Sequence, residues 1–534
     1  MTSMNRKLCS LLLAGALSIG LLTGCGGNTE PVGQTAEGAA RDELIFVNYR
    51  DIRDLNPHLY AGEMYAQSIL YDTLVSSTAD GYEGCLAEDW TISEDGRIYT
   101  FNIRDEVYFS DGTLCDANAI LANFNAIIEN KDRHTWLEMM NLLVGVSAPD
   151  ADTFVIELSE PYYPMLTELS CIRPFAMISP ECMIDGSTKD GVNGYVGTGP
   201  YVLTDFVTDE YAVFERNENY WGEAPAIQKI TVKVIPDNQT RIMALESGEI
   251  DLIFGKNMID ADAISQYVDS DKFTVSLSDP TSTRHIVLNT TNEILSDTAV
   301  RQALQHATNR QAISEGIFYG LEQPADTLYA PTIPYCDVDL EPYAYDAELA
   351  ASMLEQAGWV MGSDGIRVKD GKKLELDLLY NSDSVTEKTI SEYLQSEYLK
   401  LGISMNIHGE EEQSYRDNMK AGNFDMVFNI CWGMPYDPQS SLAAMRAPVY
   451  GDYAAQQGLA DKAEIDQAIT NILISTDEAE RQALYDFVLT RLHEDAVYIP
   501  LTYECNKALY TSDLQGVHFG TDQYDVPFAD MYFA

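Results

Sequence analysis

Histidines and acidic side chains are the residues of this sequence that could catalyse a reaction or hold a metal directly. Residues 493–497 (HEDAV) place one histidine beside a carboxylate, but the second histidine of a zinc-binding helix is missing. The seven histidines do not cluster, which argues against a metal site built from protein ligands. The sequence also has no GxSxG elbow, no GxxxxGK phosphate loop and no GxGxxG motif after a strand. We therefore expect no enzyme, no catalytic residue and no cofactor.

The nine cysteines show neither a CxxC pair nor a regular spacing. Two of them, Cys9 and Cys25, lie in the N-terminal segment, and the others occupy positions 85, 115, 171, 182, 336, 431 and 505. An odd number after Cys25 argues against an essential disulfide framework and is consistent with free, buried thiols. Which of them pair, if any, is left open by the sequence.

The N-terminal segment has the pattern of an export signal. Arg6 and Lys7 precede an apolar run over residues 8–22, which is too short for a comfortable membrane span. The run ends in residues 22–25 (LTGC), and small residues before a cysteine resemble the lipobox of bacterial lipoproteins. The resemblance implies a lipoprotein signal peptide at residues 1–24 and lipidation of Cys25. An ordinary secretory signal followed by an unrelated cysteine is the alternative.

Residues 25–42 contain almost no bulky apolar side chain, which predicts a lipidated, flexible tether. The folded part is expected to begin near Glu43, and no later stretch is apolar for long enough to cross a bilayer. We therefore expect an extracytoplasmic protein, lipid-anchored to the outer face of the cell membrane.

Length and charge limit the possible functions further. A chain of 534 residues with 46% hydrophobic content can bury large cores in more than one domain. Its net charge of -51 argues against binding to a nucleic acid backbone and against electrostatic adhesion to an anionic membrane. Contact with the membrane is thus expected through the lipid anchor alone.

Helical and strand patterns alternate along the chain and predict an α/β fold. Helix start signals stand at Asp116 and Asp297, and other helices are expected over residues 346–357, before Gly358, and 476–493. Strand-like alternation is clear at residues 154–156, 230–234 and 374–378.

Several motifs, in this order and spacing, identify the chain as similar to the large peptide- and nickel-type solute-binding proteins of bacterial ABC importers (extracellular solute-binding protein family 5). They are residues 55–58 (LNPH), 95–104 (DGRIYTFNIR), 109–112 (FSDG), 197–201 (GTGPY), 216–222 (RNENYWG) and 244–251 (ALESGEID). The resemblance covers essentially the whole mature length.

The resemblance implies a two-lobed periplasmic-binding-protein clamshell of type II-like topology, with an extra α/β domain on the first lobe. In that pattern the first lobe is discontinuous and comprises residues 43–84, 200–285 and 505–534. The extra domain would span residues 85–199, and the second lobe residues 286–504.

Further segments resemble the nickel-binding subgroup more than the peptide binders: residues 133–138 (RHTWLE), 162–164 (YYP), 172–175 (IRPF), 432–438 (WGMPYDP) and 456–462 (QQGLADK). This resemblance implies capture of nickel as a complex with a small chelator, such as histidine or a carboxylate-rich metallophore. It also implies a monomer that delivers its ligand to an ABC permease and ATPase complex. A di- or oligopeptide ligand is the alternative.

The resemblance also implies ligand-binding residues. Arg133 and Arg173 match arginines that bind chelator carboxylates, and Arg446 lies in the nearby residues 445–448 (MRAP), because guanidinium groups form charge-assisted pairs with carboxylates. The alternative for each arginine is a surface salt bridge. The expected aromatic and apolar wall comprises Trp136, Trp432, Tyr436, Met64, Tyr60, Tyr415 and Tyr450, and core packing is the alternative for the tryptophans, Tyr436 and Met64.

Tyr450 stands where the nickel–histidine binders of the family have a histidine that ligates the metal. A phenol with a pKa near ~10 is a poor neutral ligand for nickel. Either the chelator supplies every donor, or a different metal or ligand is bound. No metal ligand from the protein is therefore assigned with certainty, and structural roles are expected for His58 and His134.

Overall fold

A computed structural model describes residues 41–79, 81–134, 136–431 and 438–534. The signal peptide, Cys25 and almost all of the predicted tether lie outside these residues, as do Trp432 and Tyr436. Within the described ranges, no helix is both long enough and apolar enough to cross a membrane. Residues 42–534 form one compact unit.

Strands and helices alternate along the whole of this unit. The elements up to residue 199 are β1 (Glu43–Asn48), α1 (Met64–Leu70), β2 (Val75–Thr78), β3 (Gly81–Gly84), β4 (Ala87–Ile92), β5 (Ile98–Ile103), α2 (Ala117–Glu129), α3 (Met139–Leu142), β6 (Leu143–Ser147), β7 (Thr153–Leu158), α4 (Met165–Leu169), α5 (Ile172–Phe175), β8 (Met183–Ile184) and β9 (Ser187–Val192). The elements up to residue 288 are β10 (Tyr201–Val207), β11 (Tyr211–Arg216), β12 (Lys229–Val234), α6 (Asn238–Ser247), β13 (Leu252–Phe254), α7 (Ala261–Ile264) and β14 (Phe273–Leu288).

The remaining part of the chain is richer in helices. Its elements are α8 (Thr298–Ala307), α9 (Arg310–Ile317), β15 (Gln323–Pro324), α10 (Ala347–Gln356), β16 (Val360–Met361), β17 (Arg367–Lys369), β18 (Lys372–Lys373), β19 (Glu375–Asn381), α11 (Val385–Lys400), β20 (Ser404–Glu410), α12 (Glu412–Ala421), β21 (Met426–Ile430), α13 (Gln439–Ala444), α14 (Gly451–Ala455), α15 (Lys462–Ile474), α16 (Glu478–Glu494), β22 (Tyr498–Thr511), β23 (Leu514–Gln515) and β24 (Tyr532–Phe533).

The helix boundaries confirm the start and stop signals in the sequence. Asp116 caps α2 by accepting hydrogen bonds from the backbone N–H groups of Asn118 and Ala119, and Asp297 caps α8 in the same way. After α10, Gly358 adopts a φ of 92°, a left-handed conformation that costs glycine little. The predicted strands are confirmed as β7, β12 and β19.

One large mixed sheet organises the fold. Its strand order is β10-β11-β12-β1-β13-β22-β14-β21-β19-β20, with β15 paired to β22 off this path. The two longest strands, β14 and β22, pair antiparallel at its centre. On one side stand strands from the ranges predicted for the first lobe, and on the other side stand β19 to β21. The α/β prediction is therefore confirmed, whereas the lobe boundaries stay a prediction.

The strands β14 and β22 carry buried charges where they pass between the two halves of the sheet. We call Lys256, Arg284, Glu322, Glu504 and Lys507 the crossing cluster. Arg284 pairs with Glu504 and lies 4.0 Å from Glu322, whose other carboxylate oxygen is 3.3 Å from the Lys507 ammonium. The positive charges hold the pKa of Glu504 below its ordinary value although burial acts in the opposite direction. Charges at this depth require such pairing.

A second, four-stranded antiparallel sheet lies in residues 85–199, with the order β4-β5-β7-β6. Helix α2 packs on it, and the buried ring of Phe124 contacts those of Phe154 and Phe175. This core also includes Leu473, from the helix α15 that lies far along the chain.

Candidate functional site

Arg173 is the central charged group of the candidate site. It interrupts α5 with an extended backbone (φ −118°, ψ 121°), and its side chain is 7% exposed. The guanidinium donates to the Gly62 carbonyl and, over 3.3 Å, to Gln67 Oε1, whereas its buried Nε has no hydrogen-bond partner. No carboxylate of the described residues forms an ion pair with it. Burial lowers the pKa of Arg173, but an arginine remains charged at any physiological pH.

The loop between β1 and α1 supplies the neighbours of Arg173. The Tyr60 ring lies under the guanidinium, 4.7 Å from ring centre to the guanidinium carbon, and is 64% exposed. Gly62 lies in the same loop. A side chain does not fit at this position, because a Cβ would stand 2.5 Å from the Asp54 carbonyl oxygen. Glu63 is nearby as well, but it is bound by Arg50 at 2.6 Å. The positive charge of Arg173 is therefore not neutralised by an ion pair with its own neighbours.

Two histidines, His58 and His134, connect this loop to other parts of the chain through hydrogen bonds. Nδ1 of His58 lies 3.1 Å from the Thr188 hydroxyl and Nε2 lies 3.2 Å from the Ala176 carbonyl, while His134 Nε2 lies 2.9 Å from the His58 carbonyl. Burial lowers the pKa of His58 to about 3, so its ring is neutral. Burial also lowers the pKa of His134, and the charges of Arg173 and Arg133 add to this effect. The structural roles expected for both histidines fit these contacts.

Arg133 ends a short 3₁₀ helix, Lys131–Arg133, beside His134. Its side chain is exposed, and the described part of the chain offers it no ion pair. Because its charge and that of Arg173 both act on the His134 ring, the two arginines flank one histidine. The site is thus positively charged in a protein whose net charge is strongly negative.

Two tyrosines act on the Arg173 guanidinium, Tyr60 through its ring and Tyr524 through electrostatic interaction. Burial raises the pKa of Tyr450, and Tyr60 adds to the rise, so Tyr450 interacts electrostatically with Tyr60. Burial raises the pKa of Tyr524 to about 12; Asp522 and Tyr60 act in the same direction, whereas Arg173 opposes them. Sequence reasoning missed Tyr524, since no motif surrounds it.

Trp136 and Arg446 each carry a buried nitrogen without a hydrogen-bond partner in the described structure. For Trp136 this is the indole Nε1, and for Arg446 it is Nε. The Trp136 ring packs against the core of residues 85–199, and Arg446 donates from Nη1 to the Thr470 hydroxyl over 2.9 Å. Both are therefore held by the protein while retaining one donor for a further acceptor.

Met64 and Tyr415 have the surroundings of packing residues. Met64 begins α1 and is half-buried against the core that surrounds β1. Tyr415 is 8% exposed in another core, and its hydroxyl donates to the Phe428 carbonyl. The structure does not bring Tyr415 to the group around Arg173 through any described contact. Trp432 and Tyr436 belong to the segment outside the described residues.

Metal ligands are not grouped in the described ranges, where no cluster of three or more His, Cys, Asp or Glu side chains could hold a metal ion. The seven cysteines from position 85 to position 505 are all buried. Arg173 and Tyr60 instead offer a guanidinium and an aromatic ring, the kinds of group that suit carboxylates and flat or aliphatic ligands.

A two-lobed binding protein is the class that this fold defines, with the group around Arg173 as its candidate site. A family model of the bacterial extracellular solute-binding proteins, family 5, matches residues 81–452. The chain belongs to this family.

Two similar proteins are nickel-related by name. The nickel-binding periplasmic protein of Escherichia coli is 41% identical over 495 residues, which are 92% of this chain and 94% of that protein. The crystal structure of NikA from Brucella suis in complex with Fe(III)-EDTA is 42% identical, with a TM-score of 0.90, and the match covers 92% of this chain and 100% of that one. The periplasmic oligopeptide-binding protein OppA of Salmonella typhimurium is 26% identical, over 98% of both chains.

Proposed function

We propose that this protein is the substrate-binding lipoprotein of an ABC importer and that it captures a transition metal, nickel, as a complex with a carboxylate-bearing chelator. The observation that carries the proposal is the buried Arg173, which has no ion pair with a carboxylate among the described residues. A buried guanidinium without such a partner favours a ligand that brings its own carboxylate. The nickel-binding relative at 41% identity supports the choice of metal.

The ligand would be recognised through its chelator. Arg173, Arg133 and Arg446 would bind chelator carboxylates, while Trp136 Nε1 offers one more donor. Tyr60, Met64, Trp432, Tyr436 and Tyr415 remain proposed wall residues, and we add Tyr524 to them. The Brucella suis relative, crystallised with Fe(III)-EDTA, is consistent with recognition of a metal that arrives already chelated.

Tyr450 supports a chelator that supplies the donor atoms. Burial raises the pKa of its phenol, so the hydroxyl stays protonated at neutral pH. A protonated phenol is a poor ligand for nickel but a good hydrogen-bond donor to a carboxylate.

The proposal also includes the cellular location of the protein and its partners. Lipidation at Cys25 would hold the mature protein at the outer face of the membrane, near a permease and ATPase complex, with residues 25–42 setting its reach. We propose a monomer that binds and releases its ligand without catalysing a reaction.

A peptide ligand is the second candidate, supported by the relatedness to OppA over 98% of both chains. Calorimetry distinguishes a metal chelate from a peptide as the ligand. The sample is the compact unit, residues 42–534, after removal of metal. We expect heat on titration with nickel and excess L-histidine, or with a tricarboxylate chelator and nickel, and none with a mixture of di- to pentapeptides. Binding of peptides together with silence towards every nickel–chelator mixture would contradict the metal proposal.

A further inference from the structure

Tyr163 connects two parts of the molecule that are far apart in sequence and lie apart from the group around Arg173. It follows β7, in the range predicted for the extra domain. Its hydroxyl is 2.9 Å from the Tyr335 hydroxyl and donates to Glu478 Oε1 over 2.9 Å. Its backbone N–H donates to the Leu473 carbonyl, also over 2.9 Å. All three partners lie in the range predicted for the second lobe.

The Tyr163 side chain lies in a recess formed by Arg481, Tyr335 and Glu478. Arg481 forms the floor of this recess. Its guanidinium carbon stands 3.4 Å from the centre of the Tyr163 ring, a cation–π contact, and its side chain is fully buried. It donates to the backbone carbonyl of Ile472 and to Gln439 Oε1, the latter over 2.9 Å. A buried charge held in this way is fixed before Tyr163 arrives, so little side-chain entropy is lost on docking.

Tyr335 forms the wall of the recess and is held in an uncommon conformation. Its φ of 66° lies in the left-handed region, which is unfavourable for a bulky residue. The ring stacks on Tyr485 with centroids 4.9 Å apart and planes 6° apart, and the hydroxyl donates to Glu478. Strain of this kind persists where the surroundings require a side chain in a particular place.

The recess also adjoins the segment that follows residues 432–437. Gln439, which Arg481 holds, is the first residue of α13. That helix directly follows the segment in which Trp432 and Tyr436 are proposed to contact the ligand. Arg481 therefore contacts both Tyr163 and the first residue of α13.

We propose that Tyr163 is a closure latch: when the two lobes close, its ring docks on Arg481 between Tyr335 and Glu478 and slows reopening without touching the ligand. The latch rests on the two-lobed closure in the proposed function, but not on the identity of the ligand. Loss of the latch would act on ligand release more than on ligand association, because the contact exists only after closure.

The test compares Tyr163→Ala and Tyr163→Phe with Tyr108→Ala, a control at an exposed tyrosine in the same range of the chain. Nickel with L-histidine and Fe(III)-EDTA serve as probes. We expect Tyr163→Ala to speed probe dissociation in stopped-flow experiments about tenfold or more, Tyr163→Phe severalfold, and the control not at all. Glu478→Gln, made on the opposite side of the contact, should be non-additive with Tyr163→Phe.

Small-angle X-ray scattering provides a readout that needs no ligand. We expect a larger radius of gyration for Tyr163→Ala than for the unaltered protein and for Tyr108→Ala, since the latch holds part of the ligand-free population closed. Unchanged scattering together with an unchanged dissociation rate would overturn the latch. If the unaltered protein binds neither probe, the proposed function fails, and scattering alone then decides the latch: a larger radius supports it and an equal radius overturns it.

Discussion

Arg173 and Arg284 are both buried, at 7% and 9% exposure, but they lie in opposite electrostatic surroundings. Arg284 in the crossing cluster has Glu504 and Glu322 beside it; burial alone would lower its pKa, but the carboxylates outweigh burial and the pKa is raised. Arg173 has no ion pair with a described carboxylate, and burial lowers its pKa. The difference separates a charge that the fold neutralises with its own carboxylates from one that we propose is neutralised by a ligand.

Removal of Arg284 should have the largest effect of these changes, and the effect should be on the stability of the fold. Arg284→Ala leaves Glu504 and Glu322 buried with one positive partner fewer, so we expect a loss of about 3–5 kcal/mol in the free energy of unfolding. Denaturant unfolding measures the loss, with Arg97→Ala as control, because the exposed Arg97–Asp95 pair should contribute little to stability. Equal losses in the two variants would contradict the structural role of the crossing cluster.

Removal of Arg173 should instead act on binding. Arg173→Ala is expected to weaken chelate binding by about 2–4 kcal/mol, because a ligand carboxylate would lose its buried partner. Calorimetry measures the affinity, and the same unfolding experiment should show a smaller loss of stability than for Arg284→Ala. Arg173→Lys retains the positive charge but not the planar guanidinium. Its affinity for the chelate should therefore lie between those of Arg173→Ala and the unaltered protein. An unchanged affinity in Arg173→Ala would remove this arginine from the site.

Tyr450→His tests whether the protein can be made to ligate the metal. A neutral imidazole beside the Arg173 group should add one nitrogen donor and tighten nickel binding by about tenfold. X-ray absorption of the nickel complex detects the added nitrogen. The same spectrum in the variant and the unaltered protein would show that position 450 does not face the metal.

The smallest expected effect is a pH dependence from Asp522. Burial raises its pKa to about 7, and it lies close enough to Tyr524 to raise the pKa of that phenol. Above about pH 7 its negative charge would oppose an anionic chelate, so affinity for Fe(III)-EDTA should fall severalfold as pH rises through that value. Asp522→Asn should remove this dependence. A pH profile shared by the variant and the unaltered protein would assign the dependence to the chelate.

The same raised pKa has a consequence for stability. A carboxyl whose pKa is higher in the folded state contributes stability below its unfolded pKa of ~3.9, and this contribution is lost as pH rises through about 7. Glu504 has the opposite sign, because its pKa is lowered: its contribution is present above the ordinary glutamate range and is lost as pH falls below it.

Local signals in the sequence predicted the elements well. Asp116, Asp297 and Gly358 act through hydrogen bonds or dihedral angles within a few residues, and the structure confirms them as caps and a helix end. The motifs also indicated the family, which the comparisons show. The candidate arginines were found through resemblance, since nothing local distinguishes Arg173 from an arginine that forms a surface salt bridge.

Contacts between distant segments were not predictable in this way. Tyr524 lies near Arg173, and Tyr163 docks on Arg481, across several hundred residues without a shared pattern. The crossing cluster likewise combines side chains from β14, from β22, from a loop before β14 and from a loop between these two strands. Such contacts depend on how the strands order in the sheet, which is decided by the packing of whole elements.

The sequence by itself determined the α/β class, the caps, the family and the identity of the candidate arginines, because each follows from the types and spacing of residues along the chain. The tertiary structure alone decided which buried arginine is neutralised and which is not. That distinction depends on the distance from each guanidinium to the nearest carboxylate, and in a chain with 84 acidic residues only the fold sets those distances.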